Sequence, residues 1–156
     1  MKANAQPDYA LIINGKKTKT KSSMTVKNPS TGAVVGKMPL ATVKQAEAAV
    51  AAAKTAFSMW KNVPDADRAA ACMAIAAKIE EHAEEMATLL TPEQGKPLGG
   101  LGSRFEMGGA QAWTRHTASL KLSFEVLQDS VEGRVELHRK PIGVVLSITP
   151  WNWPVM

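Results

Sequence analysis

Cysteine occurs once, aromatic residues make up only 5% of the chain, and no apolar run approaches the ~20 residues that a bilayer-spanning helix needs. A single thiol, Cys72, closes no internal disulfide, and no Cys/His cluster has zinc-ligand spacing, so no metal site is expected. The stretch Met1–Ala10 lacks an apolar core and carries Asp8, so neither a secretory signal nor an Arg-rich transit peptide is read there and a cytoplasmic setting is expected. What is present is an ordinary globular balance, 45% hydrophobic and 21% charged over 156 residues. A chain of that length can bury roughly 70% of its unfolded surface without staples. The net charge of +5 raises the question of nucleic acid. The one dense basic cluster, Lys16, Lys17, Lys19 and Lys21, follows an Asn14-Gly15 turn and has no interleaved aromatic or arginine, so it reads as a solvated hairpin tip and no nucleic-acid partner is expected.

Short strands are predicted at Leu11–Ile13, Met24–Lys27 and Val34–Met38, separated by Asn14-Gly15 and by Asn28-Pro29-Ser30-Thr31-Gly32. A helix opens at Thr42, where Gln45 completes a capping box, and Val43, Ala46, Val50, Ala53 and Phe57 form its apolar stripe. A second helix starts near Pro64-Asp65, with a stripe Cys72, Ile75, Ala76, Ile79, Ala83 and Met86, and Pro92 should end or kink it. Gly95 and Pro97 then make a turn, and a third, glycine-diluted helix is expected over about Gly99–Leu120. Further on, Val135 and Leu137 alternate with Arg134, Glu136 and His138, as in a strand with one wet face. Val144–Ile148 is a continuous β-branched run, the pattern of a parallel strand buried on both faces, and Pro154 stands where a helix would begin.

In open α/β sheets, ligands bind at the carboxyl ends of parallel strands, which here is Thr149-Pro150-Trp151-Asn152-Trp153-Pro154. Two prolines stiffen that loop, two indoles give flat apolar walls, and the Asn152 amide can donate to an oxygen that develops negative charge. An aromatic-rich turn packed on a core is the alternative reading of the same residues. Cys72 sits among Ala70, Ala71, Ile75 and Ala76 and reads as a small buried hydrophobe. His82, His116 and His138 belong to no catalytic constellation, and Glu80, Glu81, Glu84 and Glu85 read as a solvated helix face.

The stretch Ile142-Gly143-Val144-Val145 followed by Ile148–Pro154 closely resembles the NAD(P)-dependent aldehyde dehydrogenase superfamily. Glu93-Gln94-Gly95-Lys96-Pro97-Leu98 is similar to that family's Glu-x-Gly-Lys-Pro turn, Val26–Gly32 with Val34 to its Asn-Pro-x-x-Gly hairpin, and Gly133–Pro141 to the strand leading into the dehydrogenase sheet. The resemblance implies an α/β fold: the N-terminal part of a Rossmann-like cofactor-binding domain with N-terminal hairpins and helices and an incomplete parallel sheet. It divides the chain into hairpins and helices at 1–121, an oligomerisation arm at 122–141, and the first parallel strand with its loop at 142–156.

The resemblance also implies oxidation of an aldehyde to a carboxylic acid with NAD or NADP as cofactor, in a homodimer or homotetramer with no membrane partner. Asn152 matches the family's oxyanion-hole asparagine, Ile148, Thr149, Pro150 and Trp151 the stretch beside the cofactor, and Trp153 an aromatic residue lining the aldehyde tunnel. The family's cysteine nucleophile, which attacks the aldehyde to give a thiohemiacetal and then a thioester, lies C-terminal to this loop. The chain read alone is therefore expected to be inactive. The alternative is a truncated, non-catalytic subunit that pairs with full-length protomers through the arm. Leu146, where the family often has a small residue, and Pro92 depart from the pattern in ways that bear on stability.

Overall fold

The computed structural model describes residues 9–156. The stretch read for a targeting signal lies, up to residue 8, outside the described residues. β1 (Leu11–Ile13) and β2 (Lys16–Thr18) form a hairpin whose central residues Asn14 and Gly15 both have positive φ, 52° and 70°. That is the two-residue turn whose twist suits a hairpin, and it accounts for the Asn-Gly pair. Lys16 and Lys17 therefore belong to the second strand rather than to the tip, with Lys17 opposite Ile12.

β3 (Ser22–Lys27) pairs antiparallel with β4 (Val34–Leu40), with a register shift between Val26 and Lys27. The intervening turn is set by Asn28: its Oδ1 accepts from the Ser30 N–H at 2.9 Å and its carbonyl from the Gly32 N–H at 2.8 Å. Both are local bonds that Asn favours in turns.

Four helices follow: α1 (Val43–Trp60), α2 (Asp65–Glu81), α3 (Ala83–Gln94) and α4 (Ser103–Ser119). The Thr42–Gln45 capping box is present in both directions. No residue of α1 is buried, so the predicted stripe exists as a periodicity but covers no core: Val43 and Val50 are exposed. The single predicted second helix is two, broken at His82 rather than at Pro92. Pro92 sits two residues before the end of α3: with no N–H it cannot bond the Thr88 carbonyl, yet the helix runs on to Gln94 and Gly95 ends it at φ 70°. The glycines before Ser103 form a turn instead of a first helical turn, Gly100 adopting φ 58°.

α4 is the centre of the packing, against α2 and α3. Ser103, Glu106, Met107 and Ala110, spaced as one helical face, are buried there, together with Ala76 of α2 and Ala87 and Leu90 of α3. Arginines on α4 reach out along the rims: Arg104 makes a two-pronged pair with Glu84 at 2.9 and 2.6 Å, and Arg115 pairs with Glu80 at 2.6 Å. Both carboxylates stay solvated, Glu84 64% and Glu80 60% exposed, as the sequence predicts, while bridging α3 and α2 to α4. Cys72 is half-buried rather than in the core, facing the C-terminal end of α4, and Ile75 is exposed.

β5 (Glu125–Ser130) and β6 (Gly133–Leu137) form the third hairpin, with β5 exposed throughout. All strand pairing among the described residues is antiparallel, in three separate two-stranded sheets. The predicted buried parallel strand at Val144–Ile148 runs without strand pairing, and Leu146 is 80% exposed. A strand of that type needs neighbours on both edges and helices on both faces, which the described residues do not provide.

Candidate functional site

Three of the four segments that carried the resemblance are far apart in sequence and converge on one open cleft; Gly133–Pro141 is not part of it. Its walls are Lys27 and Pro29 from the β3–β4 turn, Glu93, Gln94, Gly95 and Lys96 from the end of α3, and Trp151 and Asn152 from the terminal loop. Close approach of the first two walls requires glycine at 95: a Cβ there would lie 2.6 Å from Pro29 Cγ, and its φ is positive in any case. Gly102 permits the next turn, since a Cβ would lie 1.8 Å from the Pro97 carbonyl oxygen, which itself accepts the Ser103 N–H at 2.8 Å.

The terminal loop is held by its backbone. Gln94 Nε2 donates to the Trp151 carbonyl, and Lys96 Nζ donates to the Asn152 carbonyl at 2.8 Å. The same ammonium pairs with Glu106 Oε2 at 2.6 Å and lies 4.5 Å from the centre of the Trp153 ring, a cation–π distance. Phe105 meets the Trp153 ring at 5.8 Å between centroids. Glu106 is wholly buried, and its other oxygen accepts the Val155 N–H at 2.7 Å. A buried carboxylate is tolerated when paired and hydrogen-bonded, and this one is both.

Of the residues singled out from sequence, Trp151, Asn152 and Trp153 are brought to this cleft or its edge. Asn152 is solvent-exposed, and its carboxamide has no hydrogen-bond partner among the described residues. Ile148, Thr149 and Pro150 lie out in solvent, Ile148 being 84% exposed. Their backbone is unpaired among the described residues and open to solvent.

Lys96 and Glu106 were not singled out from sequence for any role. The available signal was a charge on the face Ser103, Glu106, Met107, Ala110, where an amphipathic helix places apolar residues. Glu93 borders the same cleft, and partial burial pushes its carboxyl above the usual range. His138 stacks on Phe124 and contacts Glu136 at 2.8 Å, and His82 contacts Glu85 at 3.3 Å, both remote from the loop in sequence and contact. No group of three or more His, Cys, Asp or Glu among the described residues is placed to hold a metal ion. None of the helices among them is long and apolar enough to cross a membrane.

Residues 16–156 match the aldehyde dehydrogenase family. The chain is 40% identical over 147 residues to a Pseudomonas protein described as "Probable aldehyde dehydrogenase", covering 94% of this chain and 30% of the relative. Its fold superposes on an indole-3-acetaldehyde dehydrogenase in apo form with a TM-score of 0.88 at 28% identity, covering 98% of this chain and 36% of the other. It superposes on a point mutant of Staphylococcus aureus betaine aldehyde dehydrogenase in complex with NAD+ with a TM-score of 0.85 at 30% identity, covering 94% and 30%. The chain spans about 30% of the length of the curated relatives it matches. With a match along nearly its whole length and the same fold, the chain belongs to the aldehyde dehydrogenase family.

Proposed function

We propose that this chain is the N-terminal part of an enzyme that oxidises an aldehyde to a carboxylic acid with NAD or NADP, and that it supplies the oxyanion donor, Asn152. The observation that carries the reading is the contrast between a free carboxamide and a fixed backbone at that residue. A donor whose main chain is fixed before charge develops has only its side-chain torsions left to settle when the aldehyde oxygen becomes an oxyanion, and a preorganised donor in such sites is worth ~3–4 kcal/mol. The open backbone of Ile148–Pro150, with Trp151 beside it, would hold the cofactor, which when bound supplies the hydride acceptor. Trp153, wedged beside Lys96 and Phe105, would present its remaining face to the aldehyde.

The nucleophile is not among these residues. Cys72 borders a hollow with Asp65, Arg68, Thr117 and Leu120, and no residue of the Asn152 loop lines it. The 156-residue chain alone is therefore inactive in this reading. The test is NADH or NADPH formation with a panel of aldehydes, from the chain alone and from the chain extended by its downstream reading frame. Activity is expected only in the extended protein, and Asn152→Ala should lower its kcat by roughly 10²–10³ with little change in KM. Cysteine-dependent activity from the chain alone, or an unaffected Asn152→Ala enzyme, would contradict it.

The exposed β5–β6 hairpin favours a second reading, a non-catalytic subunit that pairs with full-length protomers, as homodimers or homotetramers pair through such an arm. Co-purification with an intact dehydrogenase supports that reading, and failure to bind one removes it. This reading also puts the protein in the cytoplasm, a reducing setting with which the lone Cys72 is compatible.

A further inference from the structure

The Lys96 and Glu106 side chains direct every one of their hydrogen bonds outside the pair to the terminal loop. Glu106 Oε1 accepts the Val155 N–H at 2.7 Å and the Met156 N–H at 3.4 Å, while Oε2 takes the Lys96 ammonium at 2.6 Å. Lys96 in turn donates to the Asn152 carbonyl at 2.8 Å and covers the Trp153 ring. The Glu106 side chain is fully buried and that of Lys96 is 15% exposed. An ion pair serving stability alone could give way to packed apolar groups, because desolvation offsets most of its attraction. What apolar groups could not reproduce is the set of directional bonds that grips the loop on both sides of Trp153-Pro154. With the carbonyl of 152 and the N–H of 155 fixed, and Pro154 locking its own φ, the Asn152 carboxamide is left only its side-chain torsions.

We propose that the buried Lys96–Glu106 pair is the positioning device of the Asn152 loop, setting where the oxyanion donor points while touching neither substrate nor cofactor. Its catalytic half rests on the enzyme reading above; its structural half does not. The two are separated by testing the grip in the 156-residue chain, with Trp153 left as the sole indole by Trp60→Phe, Trp113→Phe and Trp151→Phe. Glu106→Gln and Lys96→Met should raise acrylamide quenching of Trp153 at least twofold at unchanged helical circular dichroism, and Lys96→Arg should restore most of the shielding.

If Glu106→Gln loses its helices, the double variant Lys96→Met/Glu106→Met restores an uncharged interior, and Trp153 should still be released. Shielding that survives in a folded variant overturns the proposal. In the extended enzyme, Glu106→Gln should lower kcat at least tenfold with KM within twofold, and should add nothing to Asn152→Ala. Multiplicative effects of the two substitutions would show that the pair does not act through Asn152. An extended wild-type protein with no activity would remove the enzyme reading, while the quenching result would still decide the grip.

Discussion

Glu84 and Arg104 show how a single exposed contact can carry a pH dependence. The guanidinium hydrogen bonds hold the Glu84 carboxyl below its ordinary value of 4.5, outweighing the opposing effect of desolvation. The folded chain thus takes up this proton less readily than the unfolded chain. The stabilisation is fully present above the unfolded value and is lost as pH falls through the lowered folded one. Glu136 follows the same sign, held down by His138 first and Arg134 second. Arg104→Ala should therefore lower the Tm slightly at pH 7 and low salt, and the gap to wild type should close as melts are taken progressively below pH 4.5. A gap that persists in acid would mean that Arg104 acts through packing. Glycines give a sharper contrast. Gly102→Ala puts a methyl into the Pro97 carbonyl and should cost about 1–3 kcal/mol, whereas Gly108, with open space around it on α4, should gain up to ~1 kcal/mol as alanine. Denaturant melts of the two variants check both signs.

Helix α1 leans on its cap. It buries no residue and touches mainly β1, so its first turn depends on the Thr42–Gln45 box and on the bond from Gln45 Nε2 to the Lys19 carbonyl at 3.0 Å. Thr42→Ala should cost about 1 kcal/mol, expressed as faster amide exchange within α1 and little change in α2–α4. Uniform loss across all helices would show that α1 is coupled to the core. Such local devices are what the sequence makes legible: the capping box, the Asn14-Gly15 and Asn28–Gly32 turns, and the Gly95 stop are each decided within a few residues. Coverage is not. The α1 stripe and the Val144–Ile148 run are plain in the sequence as apolar patterns, but the burial they predict is absent among the described residues, because whether such a face is covered depends on what lies across from it. Pro92 forfeits one bond of the helical ladder without ending α3, which runs on to Gln94, and β5 lacks the alternation that would mark it. At the candidate site the loop was legible and its support was not. Glu106 is decided by tertiary partners 10 and 49 positions away, Lys96 and Val155.

The whole molecule exposes far more surface than its mass calls for. A compact monomer of 16.7 kDa is expected to expose roughly 7,600 Å², whereas this chain exposes 12110 Å². The excess is partly apolar and contiguous: Ile142, Val145, Leu146 and Ile148 stand in solvent along one extended run with unpaired backbone. An apolar run with unpaired backbone is a template for pairing with another chain. The isolated 156-residue chain should therefore bind a hydrophobic dye such as ANS at neutral pH and associate with concentration in sedimentation velocity. Leu146→Lys places a charge in the middle of that run while disturbing no buried contact, so it should raise the concentration at which association begins by tenfold or more and leave helical circular dichroism intact. If the wild-type chain sediments as a dye-silent monomer at high concentration, the run is covered in solution by some part of the chain itself. If it associates and Leu146→Lys does not relieve it, the sticking surface lies elsewhere, with the open stripe of α1, Val43 and Val50 among it, as the next surface to charge.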